Sequence, residues 1–403
     1  MTKVLVADKF ETVGVDGLKD LGCEVVLRPD VKADALAATI AEVNPEILVV
    51  RGRKVGEAAL AAGPALSLVI RAGAGIDTID VPAASRLGIF VSNCPGKNSI
   101  AVAELVLGLL LALDRRIPDQ VADLRNGAWR KGEYSQARGL FGRTLGIVGL
   151  GQIGREIARR AQGFGMRVVA WSRNLTDQEA ERLNVGYCET PLEVARLSDA
   201  VSINVVGSAE TRYLVGEAFL AALKPGAILI NASRGSVVDE AALERAVRER
   251  GIRVGLDVFE NEPPGGQAEF RPPLAGVPGV YGTHHVGAST DQAQVAIAHE
   301  VIRIVDAFLS TGRAPHCVNR LAKSTATHVL TVRHRNRPGV LAHVFKTLHE
   351  AGVNVEEVEN IAYHGAQAAA ARVHLSVGLT DAALREIRAG NQDIISVDLT
   401  PIG

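Results

Sequence analysis

Three stretches in the second half of the chain carry side chains suited to acid–base and anion chemistry. They are Arg234 in NASRGSVVDE, Glu262 in LDVFENEPP, and the pair His284 and His285 in YGTHHVGAST, each beside a strand-like apolar run. A histidine can take the proton of a hydroxyl, and a neighbouring carboxylate orients its ring and raises its pKa. An arginine offers a planar, always charged fork to a carboxylate or a polarised carbonyl oxygen. Each residue by itself is equally compatible with a surface charge near a sheet edge.

The two histidines are not equivalent candidates. Adjacent residues at a strand end point to opposite sides. At most one of His284 and His285 is therefore expected to face the crevice outside the carboxyl ends of the strands, where open α/β sheets bind ligands. Alternation alone does not select between them.

A glycine-rich turn predicts a dinucleotide site. Gly149, Gly151 and Gly154 form a GxGxxG pattern between the apolar run TLGIV and a helix-like segment, and the strand-like MRVVAW follows. Such glycines let the N–H groups of a helix start approach a pyrophosphate. The acid expected to bind the ribose hydroxyls is missing, because the chain there reads WSRN from residue 171. Ser172 and Arg173 could accommodate the phosphate of NADP; alternatively Arg173 is solvent-exposed and NAD binds through other contacts. With the residues above, a dinucleotide suits hydride transfer between an alcohol and a carbonyl.

A second glycine-containing stretch, RAGAGID at residues 71–77, lacks a third glycine and a helical start. It is predicted to be a loop that presents backbone N–H groups to a ligand anion. Arg51, Lys54 and Arg71 accompany this loop, an array that suits a phosphorylated substrate. The alternative is that they are ordinary surface cations.

The elements that must position these residues follow an alternation of strands and helices. It predicts two Rossmann-like, doubly wound parallel-sheet α/β domains, followed by a ferredoxin-like βαββαβ module. The boundaries are 1–97 with 287–318 for the substrate domain, 98–286 for the dinucleotide domain, and 326–403 for the module. One long helix is expected from about Asn98 to Leu124. Another is expected after His285, with Ser289 as N-cap in a capping box with Gln292, ending at Gly312.

The composition argues for small-molecule partners and other protein chains. The 403 residues carry 44 basic and 45 acidic side chains, a balance that does not favour nucleic acid or a membrane surface. The four cysteines lie far apart without CxxC spacing, so neither a disulfide framework nor a metal site is predicted, and a cytoplasmic location is favoured. No apolar run is long enough to predict a membrane span.

Six motifs occur in the order and spacing of one known family. They are RAGAGID, PGKNSIAVAE, LGIVGLGQIGREIARR, NASRGSVVDE, LDVFENEPP and HVGAST. In these motifs the chain resembles the D-2-hydroxyacid dehydrogenase family, whose members oxidise small D-2-hydroxy acids with NAD(P). The resemblance implies that Arg234, Glu262 and His285 are catalytic. His285 is expected to take the hydroxyl proton, and Glu262, rather than Glu260, to support the imidazolium.

The same resemblance implies which residues hold the two ligands. Asp257 is expected near the nicotinamide carboxamide, and Gln152 and Ile153 near the pyrophosphate. The expected cofactor-binding residues are Ala74, Gly149, Gly151, Gln152, Ile153, Gly154, Ser172, Arg173, Ala232, Ser233, Asp257, Gly287 and Ala288. The expected substrate-binding residues are Arg51, Arg71, Gly75 and Asn98, with Lys131 resembling a lysine that some members lend across a dimer.

Three positions depart from the family pattern. Many members have proline where this chain has His284, and a frequent His-x-Pro of the nucleotide domain is NVV at residues 204–206 here. Ser172 stands where the ribose-binding acid is usual. The expected cofactor is NAD, with NADP as the alternative.

The last 80 or so residues resemble the ACT domain, an amino-acid-sensing module. The resemblance rests on VRHRNRPGVLAHVFKTLHEAGVNVEEVEN. His334, Asn336 and Asn354 match positions that bind L-serine in feedback-inhibited members, which implies an amino-acid effector site. The alternative is that the module only mediates assembly into a homodimer or homotetramer.

Together the two resemblances imply NAD(P)-dependent oxidation of 3-phosphoglycerate to 3-phosphohydroxypyruvate, the first step of L-serine biosynthesis. Within the same family, the alternative is a dehydrogenase or reductase of another D-2-hydroxy acid, of the glyoxylate/hydroxypyruvate type, which WSRN favours. Outside the enzymes, the fold also serves dinucleotide-binding corepressors.

Overall fold

The protein is described by a computed structural model that covers residues 1–263, 268–321 and 324–402. The chain divides into two compact units, residues 1–319 and 320–403. Strands of the described residues form three sheets, two in the first unit and one in the second. In the same part of the chain, no helix combines the length and apolarity needed to cross a bilayer.

The first sheet is parallel, with strand order β2-β1-β3-β4-β5. Its strands are short and almost wholly apolar, as expected for a parallel sheet covered on both faces. The strands are β1 (Lys3–Val6), β2 (Glu24–Leu27), β3 (Ile47–Val50), β4 (Leu68–Arg71) and β5 (Phe90–Asn93). The helices between them are α1 (Thr12–Asp20), α2 (Leu36–Val43), α3 (Glu57–Leu60) and α4 (Val81–Arg86).

Three helices lead from the first sheet to the second: α5 (Ser99–Arg115), α6 (Ile117–Arg125) and α7 (Lys131–Tyr134). The prediction of one helix over residues 98–124 is wrong, because Arg116 adopts a left-handed conformation between α5 and α6. Pro118 explains the break, since it lacks an N–H and its ring would strike the carbonyl group of Asp114 in a continuous helix. The Asp114 carboxylate is itself buried, where it accepts a 2.9 Å hydrogen bond from Arg143.

The second sheet is also parallel, with strand order β12-β11-β10-β9-β6-β7-β8. The order reverses at β6, so the crevice outside its carboxyl end is the expected ligand position. The strands are β6 (Thr144–Val148), β7 (Arg167–Trp171), β8 (Gly186–Tyr187), β9 (Ala200–Ile203), β10 (Ile228–Asn231), β11 (Arg253–Leu256) and β12 (Val280–Gly282). The helices between them are α8 (Gln152–Gly163), α9 (Asp177–Arg182), α10 (Pro191–Leu197), α11 (Glu217–Ala222) and α12 (Glu240–Arg250).

Helix α13 (Asp291–Thr311) returns the chain to the first sheet. Its buried face, including Ile297, Val301 and Ile304, packs in one core with residues of β1, β3 and β4. The predicted end at Gly312 is confirmed, since Gly312 caps the helix in a left-handed conformation. The predicted N-cap is wrong. Thr290, not Ser289, is the N-cap, because its hydroxyl accepts the N–H of Ala293 at 3.2 Å.

The second unit is an antiparallel sheet of order β14-β15-β13-β16 with two helices. Leu330, Val332 and Val373 of the sheet form one buried core with Val344 and Ile387 of the helices. The elements are β13 (His328–Arg335), α14 (Val340–Glu350), β14 (Val355–Ala362), β15 (Ala368–Leu375), α15 (Asp381–Ala389) and β16 (Ile394–Pro401). The predicted fold class, two parallel α/β sheets plus a βαββαβ module, is confirmed.

The N-cap assignment can be tested by paired substitutions. We expect Thr290→Ala to lower the free energy of unfolding by about 1 kcal/mol, because the N–H of Ala293 loses its acceptor. The control Ser289→Ala removes an exposed hydroxyl and should change stability by less than about 0.5 kcal/mol. Urea denaturation followed by circular dichroism measures both. A larger effect for Ser289→Ala than for Thr290→Ala would restore the original prediction.

Candidate active site

The polar residues singled out above gather at the carboxyl edges of both parallel sheets. In the second sheet, Arg234 follows β10 and His285 follows β12. In the first sheet, Arg51 follows β3 and Arg71 is the last residue of β4. Contacts between the two edges define a cleft, where the Arg234 side chain lies against the backbone of Gly75.

His285 and Glu262 form a directly bonded pair in this cleft. The Nδ1 atom of His285 lies 2.7 Å from Oε2 of Glu262, and Oε1 of Glu262 accepts the N–H of Phe259 at 2.8 Å. The hydrogen bond to Glu262 raises the pKa of His285, against the opposing effects of burial and of the Arg234 charge. Burial would raise the pKa of Glu262, but its bonds to His285 and Phe259 lower it overall. With Nδ1 engaged, Nε2 is the ring nitrogen left to exchange a proton with a ligand.

The backbone at His285 is held by a buried carboxylate. His285 has φ 52°, a left-handed conformation that is unusual for a residue with a side chain and is found where surrounding contacts enforce it. Its N–H donates to the carbonyl group of Asp257 at 2.8 Å. The Asp257 side chain accepts three further bonds, from Thr283 Oγ1 at 2.6 Å and from the N–H groups of Val286 and Gly287, both at 2.9 Å. The Asp257 side chain is only 2% exposed, and its bonds determine the shape of the histidine loop. Asp257 is the residue predicted to lie near the nicotinamide.

This loop also changes the argument about the two histidines. Strand β12 ends at Gly282, so neither His284 nor His285 belongs to a strand, and strand alternation does not apply to them. Two observations distinguish His285 from His284 instead: the left-handed backbone conformation of His285 and its hydrogen bond to Glu262. His284 is exposed in the same loop.

Arg234 is fixed by contacts on both sides of the cleft. Its Nε and Nη2 atoms donate to Oδ2 of Asp77 at 2.9 and 2.7 Å, and Nη1 donates to the Ser233 carbonyl oxygen at 2.7 Å. Asn231, which is buried, organises the preceding turn: its Oδ1 accepts from Ser233 and its Nδ2 donates to the Arg234 carbonyl oxygen. Ala232 and Ser233 therefore lie in a tightly bonded turn at the carboxyl end of β10.

Two further cations stand at the edge of the first sheet. Burial lowers the pKa of Arg71, and the nearby charges of Arg234 and Arg51 lower it further, so Arg71 lies within electrostatic reach of both other guanidinium groups. The Nε of Arg71 is buried without a hydrogen-bond partner. Oδ2 of Asp8 accepts the N–H groups of residues 51–53 at 2.8 to 3.0 Å, which fixes the turn that carries Arg51. A concentration of positive charge with an unsatisfied donor suits an anionic ligand.

The glycine turn after β6 fits a dinucleotide pyrophosphate. Gly149 has φ 100°, and a side chain there would meet the backbone of Asn204 at 2.7 Å. A side chain at Gly151 would meet nothing within 4 Å, so the turn opens into free space before α8. Gly151 caps α8 without any side-chain acceptor, and Gln152 and Ile153 supply the first N–H groups of the helix. These groups could hold a phosphate, as helix starts do elsewhere.

The remaining predicted residues are distributed around this cleft and beyond it. Gln152 lies against Gly96, the carbonyl oxygen of Ala74 accepts from Asn93 at 2.6 Å, and Oδ1 of Asn98 is buried without a partner. Ser172 is half-buried and Arg173 exposed after β7. The carbonyl oxygen of Ala288 accepts from Gln294 at 2.7 Å. Lys131 is exposed on α7, on a surface that also carries Trp129.

The three predicted effector residues are not brought together within one chain. Asn336 lies beside Gln367 at the start of β15, whereas Asn354 lies beside Ser376 at its end. The eight residues of β15 span roughly 25 Å. His334 is buried, with Nε2 3.2 Å from Oδ1 of Asn360. Within one module, therefore, a single amino acid does not reach both asparagines.

Sequence reasoning missed two acids that organise the site, Asp77 and Asp8. Both could have been suspected, since Asp77 ends the RAGAGID loop and Asp8 follows the first strand, at an edge where parallel sheets place functional residues. Their partners, Arg234 and the backbone of residues 51–53, are more than 40 residues away in the chain.

Comparison with known proteins identifies the family. Residues 107–287 match the family model described as D-isomer specific 2-hydroxyacid dehydrogenase, NAD binding domain, and residues 328–359 match the ACT domain. A glyoxylate reductase from Thermococcus litoralis is 36% identical over 74% of this chain and 91% of its own length. The chain belongs to the D-isomer specific 2-hydroxyacid dehydrogenase family. The resemblances to the D-2-hydroxyacid dehydrogenase family and to the ACT domain are thereby confirmed.

Two other family members are informative. A D-3-phosphoglycerate dehydrogenase from Methanocaldococcus jannaschii is 36% identical over 79% of this chain, but the match spans only 60% of that protein. A solved NADPH-dependent glyoxylate/hydroxypyruvate reductase from Sinorhizobium meliloti, in complex with NADP and malonate, superposes with a TM-score of 0.68 at 34% identity. That match covers 80% of this chain and 99% of the reductase.

The ion pair between Glu262 and His285 predicts a pH effect. A histidine that removes a proton must be neutral, so oxidation is lost as the pH falls through the pKa of His285, which Glu262 raises. Glu262→Gln should lower that pKa and move the acid limb of the kcat/KM profile to lower pH. We also expect kcat to fall roughly 10- to 100-fold, because the imidazolium loses its counter-charge.

Glu260→Gln is the matched control, because Glu260 bonds to Tyr213 and Arg212 rather than to His285. Its acid limb should coincide with that of the unmodified protein. An unchanged acid limb in Glu262→Gln would contradict the supporting role of Glu262.

Proposed function

We propose that the protein oxidises a D-2-hydroxy acid with NAD or NADP. The observation that carries the proposal is the bonded pair His285–Glu262 in the same cleft as Arg234. Nε2 of His285 takes the hydroxyl proton, and Glu262 stabilises the imidazolium that forms. Arg234 binds the carboxylate or the carbonyl oxygen. The bound nicotinamide ring accepts the hydride from C2.

We propose 3-phosphoglycerate as the substrate and 3-phosphohydroxypyruvate as the product, the first step of L-serine biosynthesis. Two anionic groups on one small molecule suit a cleft in which Arg71 lies within electrostatic reach of Arg51 and Arg234. The attached ACT module and the similarity to D-3-phosphoglycerate dehydrogenases support the same substrate. The relatives described above are dehydrogenases or reductases, which does not favour a corepressor role.

A second candidate, glyoxylate/hydroxypyruvate reduction with NADPH, is favoured by the end of β7. Ser172 and Arg173 stand there in place of an acid, and a similar reductase is NADPH-dependent. A 2′-phosphate would be attracted by Arg173 and not repelled by a carboxylate.

One set of assays separates the two candidates. Absorbance of the reduced cofactor is followed with 3-phosphoglycerate, D-glycerate and D-lactate as donors, and with hydroxypyruvate and glyoxylate as acceptors, each with the NAD or the NADP couple. We expect the highest kcat/KM with 3-phosphoglycerate. If Arg51 and Arg71 hold the phosphate, Arg51→Gln should raise KM for 3-phosphoglycerate about 10-fold or more while changing KM for D-glycerate far less. Turnover of glyoxylate or D-lactate without 3-phosphoglycerate would contradict the leading proposal.

We further propose that the protein works as a homodimer or homotetramer in the cytoplasm. The surface of α6 and α7 exposes Leu124 and Trp129, with Trp129 79% exposed, and apolar patches of this kind are typical of interfaces. Lys131 lies on the same surface, which agrees with a lysine lent to a partner. The cysteines Cys23, Cys94 and Cys188 are buried as free thiols, as suits a reducing compartment.

We propose that L-serine binds between two ACT modules. Strand β14 is an edge of its sheet and is largely exposed, so it is free to pair with β14 of a second copy. In a two-fold antiparallel pair, the end of β14 near Asn354 would face the opposite end of the partner's strand, near Asn336. A composite site would thus bring together asparagines that one chain keeps roughly 25 Å apart.

Subunit mixing tests this composite site. Asn336→Ala and Asn354→Ala should each abolish inhibition by L-serine without changing the basal rate. A hybrid dimer of one chain of each variant, isolated with two affinity tags and checked by light scattering, should regain one serine site per dimer. Calorimetric titration with L-serine measures the number of sites. A hybrid that binds no serine would contradict the composite site.

A further inference from the structure

The Arg234 side chain is enclosed by two glycines and one acid. A side chain at Gly75 would collide with Nη2 of Arg234, and one at Gly207 would meet its Cγ at 2.8 Å. The guanidinium therefore lies against backbone on the side of the first sheet, and the stem of the side chain lies against backbone on the side of the second. Asp77 then bonds to Nε and Nη2 across the cleft. Asp77 is 157 residues away in the chain, so this contact exists only because the two sheet edges meet.

The hydrogen bonds of Arg234 leave one particular edge of the fork free. A guanidinium has five N–H groups. Asp77 accepts two of them, from Nε and Nη2, and the carbonyl group of Ser233 accepts one from Nη1. Among the described residues these are the hydrogen bonds of the fork, so one N–H remains on Nη1 and one on Nη2, the two nitrogens that can bond to both oxygens of a carboxylate.

The electrostatic setting also favours an anion at this position. Arg71 lies close enough to both Arg234 and Arg51 for the charges to interact, and like charges repel in a partly desolvated cleft. The Asp77 carboxylate neutralises the charge of Arg234, with which it forms an ion pair. Asp77 belongs to the same loop as Ala74 and Gly75. The Asp77 carboxylate thus joins two parts of the expected substrate site. One is the loop of residues 71–77, which is expected to bind substrate through its backbone. The other is Arg234, which binds substrate through its side chain.

We propose that Asp77 is a positioning residue for the reaction. It holds the Arg234 guanidinium by the Nε/Nη2 edge so that the adjacent Nη1/Nη2 edge receives the carboxylate of the 2-hydroxy acid. This inference rests on the proposed function. The alternative is that Asp77 competes with the substrate. In that case Asp77 would bond to Arg234 at the place of the substrate carboxylate, and the substrate would have to displace it.

The experiment uses the full-length protein with Asp77→Asn, Asp77→Glu, Arg234→Gln and the double variant Asp77→Asn/Arg234→Gln. Steady-state kinetics give kcat and KM for the best hydroxy acid. Calorimetry gives the Kd of oxalate, a dicarboxylate that cannot be oxidised by hydride transfer, with the reduced cofactor bound. Glu57→Gln is the matched control, because Glu57 of α3 forms an exposed ion pair with Arg86 of α4 and contacts neither Arg234 nor Asp77 among the bonds of the described residues.

We expect Asp77→Asn to raise KM and the oxalate Kd by roughly 10-fold, since Arg234 loses its orientation. The Kd of the reduced cofactor should stay constant, and Asp77→Glu should recover part of the affinity. In the Arg234→Gln background, Asp77→Asn should have no further effect, because Asp77 acts only through Arg234. Glu57→Gln should match the unmodified protein.

Three results would overturn the inference. A lower oxalate Kd in Asp77→Asn would show competition, an unchanged Kd would show no role, and an undiminished effect in the Arg234→Gln background would show a role that bypasses Arg234. The proposed function can fail separately. If no hydroxy acid is turned over but oxalate binding still weakens in Asp77→Asn and not in the double variant, the positioning role stands and the activity is wrong. Failure of oxalate to bind the unmodified protein would overturn the positioning role.

Discussion

The buried carboxylate of Asp257 is the interaction on which the rest of the site depends. It accepts hydrogen bonds from one side chain and two backbone N–H groups of the loop after β12, while its own carbonyl oxygen accepts the N–H of His285. A buried charge is stable only with such partners. The same bonds hold His285 in a left-handed conformation and thereby direct its Nδ1 toward Glu262. The position of the His285 ring beside Glu262 therefore depends on Asp257, a residue that need not touch the reacting atoms.

The cleft combines an excess of cations with two acids placed for different purposes. Arg71 lies within electrostatic reach of Arg51 and Arg234 at the strand ends, and such a concentration of positive charge suits an anionic ligand. Glu262 acts on the histidine, and Asp77 acts on Arg234. Each acid is therefore bonded to one side chain of the cleft and orients it.

Local features of the chain were predicted well where one segment decides the outcome. Gly149 and Gly151 identified the turn after β6, and Gly312 the end of α13. The two wrong predictions also concern single residues. The apolar periodicity continues past Pro118, but the helix ends before it. Thr290 rather than Ser289 is the N-cap, and only the structure shows which of the two hydroxyls accepts a helix N–H. Apolar periodicity predicts which face of a helix is buried. It does not predict where the helix ends or which of two adjacent residues is its N-cap.

The sequence by itself determined the fold class, the family, the position of the dinucleotide turn, and the types of residue available for chemistry, since these depend on periodicity and on motifs within short segments. Only the tertiary structure decided which of these residues meet. Glu262 reaches His285 over 23 residues and Asp77 reaches Arg234 over 157, whereas Asn336 and Asn354, only 18 positions apart, are separated by the length of a strand. The physical reason is that contacts between distant residues are set by how sheet edges pack together, and sequence spacing carries no record of that packing.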